Sequence, residues 1–96
     1  MIRHVAVFRF IPEFTESQRD DWIALVRDLP NRIPEVRALS IGKDLLHGPV
    51  SHELAIVADF DSLADLETYS THPAHQKVLD VSVPVKASLG VVDFEL

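Results

Sequence analysis

The segment YSTHPAHQKV, residues 69–78, sets a tyrosine and two histidines around a proline. An imidazole titrates near neutral pH, so it can take a proton from carbon or oxygen and return it. A phenol can orient such a base or hydrogen-bond a carbonyl. Two histidines can also hold a metal. His72 and His75 are three apart, however, whereas a helical zinc pair is usually spaced by four and needs a third ligand. Pro73 suits the first position of a helix, where its missing N–H costs nothing. His72 then stands at or before the N-cap, with its ring expected toward solvent, and His75 lies one turn inside. Tyr69 and His75 read two ways: as a buried His–Tyr hydrogen bond closing a corner between helices, or as a proton-transfer pair.

A third histidine, His4, shares a side of an alternating segment with Ala6, Phe8 and Phe10. A histidine on an apolar face is more often a satisfied core residue than a catalyst; a cavity shared with His75 would favour catalysis. Asp44, His47 and His52 fall in one connection, but their spacing fits no metal motif and reads as solvated loop charge. No metal and no cofactor is expected. The chain contains no G-x-G-x-x-G, P-loop or serine elbow, so nucleotide and acyl-enzyme chemistry have no support. With no cysteine, disulfides and thiolate sites are excluded. The formal charge is −6, and the lysines and arginines are scattered, which argues against nucleic-acid or anionic-membrane partners. No apolar run is long enough to span a bilayer, and the N-terminus lacks a signal-peptide core; a cytoplasmic location is expected.

The elements that must position these residues follow from changes of period. Ninety-six residues make one domain, 1–96, with a modest core. Residues 2–11 alternate as a strand. The stretch FTESQRDDWIALVRDLP reads as a helix: Thr15 and Gln18 have capping-box spacing, Trp22, Leu25, Val26 and Leu29 form its apolar stripe, and Pro30 ends it. Strands are expected at 36–45 and 53–60, joined through the turn GPVSH. A short helix opens after Asp61 or Ser62, another at Pro73, and 89–96 is the last strand. The order β-α-β-β-α-β, with an extra short helix, is an α+β ferredoxin-like arrangement whose helices cover one sheet face. The other face is expected to carry Val5, Val7, Ala55, Val57 and Val91, with Arg3, Arg9, Glu53, Asp59 and Asp93 toward the strand ends. An apolar middle inside a charged rim reads as an interface, so a homodimer with two sheets face to face is expected.

RHVAVFRF, IPEVRALSIGKDL, FDSLADLETYSTHPAH and VVDFE together resemble the stress-responsive A/B barrel (Dabb) proteins of the dimeric α+β barrel superfamily. YxxHPAH is the most specific of these stretches. The resemblance implies a homodimer with a central barrel, and space between sheet and helices for a small apolar or aromatic ligand. Its walls are expected at Ala6, Phe8, Trp22, Val26, Ile56 and Leu79. Plant polyketide cyclases similar to this family run an aldol-type closure with a histidine and a tyrosine, which match His75 and Tyr69; a further histidine matches His4. Along the first helix Trp22 keeps one aromatic, but Ile23 and Val26 stand where those cyclases carry others. His52 lies two residues before their third-strand histidine. These departures imply a differently shaped pocket.

The favoured expectation is thus a small homodimer that binds an apolar or aromatic molecule, with cofactor-independent His/Tyr proton transfer. The alternatives are a cofactor-free monooxygenase or isomerase on the same fold, and a non-catalytic stress or assembly protein. A cavity lined by His4, Phe8, Trp22, Tyr69 and His75 favours the first two; a filled core favours the last.

Overall fold

The computed structural model describes residues 1–96. In chain order it contains β1 (Ile2–Phe10), α1 (Glu16–Arg27), α2 (Leu29–Arg32), β2 (Ala38–Lys43), β3 (Leu54–Phe60), α3 (Leu63–Thr71), α4 (Pro73–Ser82) and β4 (Lys86–Glu95). The strands form one antiparallel sheet in the order β2-β3-β1-β4, the ferredoxin-like topology. The helices cover one face. No helix is long and apolar enough to cross a membrane.

Local signals set the helix ends. Thr15 and Gln18 close the expected capping box: the Gln18 N–H donates to Thr15 Oγ1 at 3.2 Å, and the Thr15 N–H donates to Gln18 Oε1 at 2.9 Å. Ser62, rather than Asp61, caps α3 by accepting from the Asp65 N–H. Asp61 instead accepts from Arg37, at 2.7 Å from Nη2. Pro30, expected to end α1, starts a new turn. The helix stops at Arg27 and α2 begins with Pro30 in its first turn, where a residue without an N–H fits. The buried stripe of α1 also differs from expectation. Trp22, Ile23 and Val26 are buried and Leu25 is exposed, because Leu25 lies roughly 100° round the helix from that face.

The helix-facing side of the sheet supplies Ala6, Phe8, Phe10, Ile41, Leu54, Ile56, Ala58 and Phe60 to the core. Stacked and edge-on rings of Phe8, Phe10, Phe14 and Trp22 fill its wide end. The Trp22 indole N–H donates to the Val78 carbonyl at 3.0 Å and ties α1 to α4.

The pairing of β4 corrects the expected face assignment. Val91 lies opposite Ala6 and Asp93 opposite His4, so both sit on the helix side. Val92 and Phe94 lie opposite Val5 and Arg3 and face outward. Both sides of this strand carry apolar residues, so alternation alone cannot choose between them; hydrogen-bond register does. The strand also starts at Lys86. The shift between Arg9 and Phe10 leaves Ala87 as the extra residue of a bulge. Glu53, expected on the outer rim, precedes β3 and reaches Arg19 of α1, with Oε2 3.5 Å from Nη2.

The corrected outer face carries Val5, Val7, Ala55, Val57, Val92 and Phe94. At one end Arg3 donates from Nε and Nη2 to both carboxylate oxygens of Asp59, at 2.8 and 2.9 Å. That fork holds the Asp59 carboxyl below its ordinary range. Phe60, fully buried where β3 meets Tyr69, is a keystone of the opposite face. Phe60→Ala should lower unfolding free energy by about 3–5 kcal/mol, read as a shifted urea midpoint at unchanged slope. A midpoint equal to wild type would show that this core does not depend on the ring.

Candidate functional site

Between the helix side of β1 and β4 and the inner side of α4 lies a cavity of about 190 Å³. Nine of its thirteen wall residues are hydrophobic, and His4, Tyr69 and His75 converge on it. Ala6, Phe8, Trp22, Ile56 and Leu79 also line it, as expected from the sequence. Val26 does not: it is wholly enclosed in the core. Val78, Ser82, Lys86, Leu89 and Val91 are wall residues that sequence reasoning missed. Leu89 and Val91 were hidden by the parity ambiguity and Lys86 by the late expected start of the strand; Val78 and Ser82 share the helical face of His75 and Leu79, a signal available in the spacing.

The break at Pro73 explains how the two histidines differ. In an unbroken helix the Ala74 N–H would donate to the Ser70 carbonyl. Here the Ala74 N–H donates to His72 Nδ1 at 3.0 Å, so the His72 ring caps α4 instead of turning to solvent. The Ser70 carbonyl pairs instead with His75 Nδ1, also at 3.0 Å. Thus each imidazole takes over one half of the lost backbone bond.

The bonds also fix tautomers. A carbonyl can only accept, so His75 carries its proton on Nδ1 and keeps a lone pair on Nε2. His72 must be unprotonated at Nδ1 to cap the helix. His4 Nδ1 meets Asp93 Oδ1 at 2.5 Å; an ionised carboxylate accepts, which again leaves Nε2 unprotonated in the neutral ring. Asp93, expected on the opposite face, is thus a functional candidate that the sequence reading misplaced.

The rings form a compact group. Tyr69 stands between the imidazoles, with centroids 4.4 Å from His75 and 6.2 Å from His4. Tyr69 is almost fully buried, and burial pushes its phenol up to about 12. Burial also lowers the His75 imidazole below its ordinary value; the Ser70 carbonyl opposes the shift and a charge on His4 adds to it. At neutral pH the group therefore presents an intact phenol O–H and an uncharged base.

A second, larger cleft of about 630 Å³ opens between α1 and the β2–β3 connection. It is rimmed by Asp44, His47, His52, Glu16, Arg19 and Lys43. Charges around it pair with one another, as in Lys43 with Glu16 and Glu53 with Arg19. No three His, Asp or Glu side chains gather in the chain to hold a metal ion.

The family model for the stress responsive A/B barrel domain matches residues 2–96. The chain belongs to this family. The A/B barrel protein is 28% identical over 95 residues to olivetolic acid cyclase of Cannabis sativa, covering 97% of this chain and 94% of that one. It is similar to the solved structure of a dimeric ferredoxin-like protein of unknown function from Thermobifida fusca: TM-score 0.90, 34% identity, 99% and 90% of the two chains. The fold is also that of a hydroxynitrile lyase from Passiflora edulis: TM-score 0.87, 24% identity, 99% and 92% coverage.

The environment of His75 in this barrel makes a pH prediction. Its folded pKa lies below the unfolded one, so between the two values the unfolded chain binds more protons. The contribution to stability is complete above about pH 6.5 and declines as pH falls toward the folded value. Proton NMR titration should place the His75 midpoint below about 6.5, the ordinary imidazole value. A midpoint at or above that value would contradict the buried, neutral base.

Proposed function

We propose that this A/B barrel protein is a homodimer built through the outer sheet face. Each subunit binds a small apolar or aromatic molecule in the 190 Å³ cavity and moves a proton on it. The observation that carries the reading is the convergence of two tethered imidazoles and a phenol on a largely apolar cavity. A cavity of about 150 Å³ holds a benzene ring, so this one suits a single ring with short substituents, or the corresponding length of folded chain.

The chemistry follows from the tautomers. His75 Nε2 takes a proton from carbon beside a carbonyl. The electrons of that C–H bond move into the carbonyl to give an enolate, and the Tyr69 hydroxyl donates to its oxygen. A phenol pushed up to about 12 by burial stays protonated through this step. The enolate carbon then bonds to a second carbonyl of the same molecule, whose oxygen takes up a proton. No electrons leave the substrate, so no redox partner is needed. That proton is the one His75 Nε2 took from carbon, so its return leaves the base neutral again, while Asp93 orients His4 beside the same cavity. The cyclase named among the relatives supports ring closure over the other reactions open to such a base.

The dimer rests on the outer sheet face, where Val92 is 62% and Phe94 43% exposed beside Val5, Val7, Ala55 and Val57. The similar structure from T. fusca is described as dimeric. A contiguous apolar sheet face in water is costly, and a second copy removes it.

Thermal-shift screening with phenolic, polyketide-like and fatty compounds should reveal ligands that raise the melting temperature, since native-state binders stabilise. With a substrate so found, His75→Ala should lower the rate on the order of 10²–10⁴-fold with a smaller change in affinity. Tyr69→Phe should show a smaller loss of the same kind, and His72→Asn should change little, since asparagine also caps helices. Wild-type turnover by His75→Ala would overturn the mechanism. For the assembly, Val57→Glu should yield monomer or aggregate in sedimentation, because it buries an unpaired charge. A wild-type monomer stable at micromolar concentration would overturn the dimer.

A further inference from the structure

The connection between β2 and β3, residues 44–53, is longer than the roughly two residues that suffice to join antiparallel strands. It is also an ordered segment. Asp44 Oδ2 accepts the His47 N–H, Ser51 Oγ accepts the Gly48 N–H, and the Asp44 N–H donates to the Glu53 carbonyl across its base. Yet Leu45, Leu46 and Val50 are each 87% exposed. Three aliphatic side chains held in water by a built loop are unpartnered in the single chain.

The cavity has a matching defect. Its outer wall is the free edge strand β4, and there Leu89 and Val91 remain 42% and 47% exposed on the helix side. The sheet register relates the two features. Leu54, at the end of the connection, pairs with Phe8, and Phe8 pairs with Leu89. The connection and the open wall therefore lie at the same end of the sheet, on opposite edges.

A two-fold axis running along the strands between facing sheets preserves ends and exchanges edges. It sets β2 of one copy against β4 of the other. Side-chain size favours this overlay: outward residues of β2 are the small Ala38, Ser40 and Gly42, whereas β4 offers Val92 and Phe94. The alternative axis would crowd bulky β4 against bulky β4 and leave a gap between the β2 strands. The edge-exchanging dimer brings each copy's loop to the β4 edge of its partner, round which it can reach Leu89 and Val91 on the helix side.

We infer that the β2–β3 connection is a dimer arm: Leu45, Leu46 and Val50 seat on the β4 edge of a second copy and close the open side of that copy's cavity. The inference rests on the dimer proposed above and adds a contribution of each subunit to the other's site. The outer sheet face continues into the loop, because Val7, Gly42, Ala55 and Val50 line one shallow depression. A lipid surface fits less well: the arm is flanked by Asp44 and Glu53, contains no lysine or arginine, and belongs to a chain of charge −6.

The absence of cysteine makes cross-linking a clean test. Leu46→Cys chains mixed with Leu89→Cys chains and mildly oxidised should give a disulfide-linked pair; neither variant alone should do so to the same extent. Leu45→Cys with Val91→Cys supplies a second pair should one of these chains fold poorly. Trp22, the only tryptophan, lines the cavity, so Leu45→Asp/Leu46→Asp should raise its quenching by acrylamide while sedimentation still shows a dimer. A dimer in which neither pair cross-links would overturn the arm and leave the dimer standing. A monomer would overturn both. Cross-linking with unchanged quenching would refute closure of the cavity. Binding to phosphatidylcholine vesicles that Leu46→Asp abolishes, without cross-linking, would reassign the loop to a lipid surface.

Discussion

The pairing of β1 with β4 is the constraint on which the rest of the molecule depends. Its register sets Ala6 against Val91 and His4 against Asp93. One residue of slip would turn every side chain of β4 to the other face. The carboxylate would leave His4, the cavity would lose Leu89 and Val91 from its wall, and the outer face would exchange Val92 and Phe94 for an acid. The geometry of the site and the character of the interface are therefore one choice. The bulge at the start of β4 lies where that choice is anchored, with Lys86 opposite Phe10 and Ser88 opposite Arg9. A bulge pins register because the extra residue fits in one place only.

A second dependence runs through the proline. Pro73 separates α3 from α4 and removes the means of continuing one helix into the other. The chain responds by spending one ring nitrogen of each histidine on the broken ends. For His72 this is its whole role in the fold. For His75 it is a preparation, since the nitrogen that is spent dictates which one remains for a ligand. Structural and chemical readings of the HPAH segment are thus not rivals: the same helix break that His72 caps also orients the His75 ring.

What the sequence made legible follows the same physics. The alternating segments of β1 and β3 were placed within a residue of their observed limits, and α4 begins at Pro73 as expected. Parity on β1 put His4 on the helix side and the spacing after Pro73 put His75 one turn into α4, while their grouping with Tyr69 was what the resemblance to the family implied. The errors fall where local pattern is symmetric or where a residue serves two rules. β4 is apolar on both sides, so its parity, and with it Asp93 and Val91, needed a partner strand. Pro30 obeys both the rule that ends helices and the rule that begins them; the buried Leu29 and Ile33 that flank it decide for a second turn. Val26 reads from its position as equally near core and ligand, and only three-dimensional packing shows that the space beside it is filled.

The strand that completes the site is the last element of the domain, while its partner β1 is the first. Every contact between them spans nearly the whole chain, the kind of closure that is slow because chain entropy is lost before packing is gained. A ribosome-bound chain that has not yet released Lys86–Glu95 has a β1 edge without a neighbour and a histidine without its acid. It has no complete cavity and no bulky half of the outer face. The cavity wall and the bulky half of the outer face therefore appear together, when β4 pairs with β1. The wiring of the sheet makes the emergence of β4 the event that completes both surfaces at once.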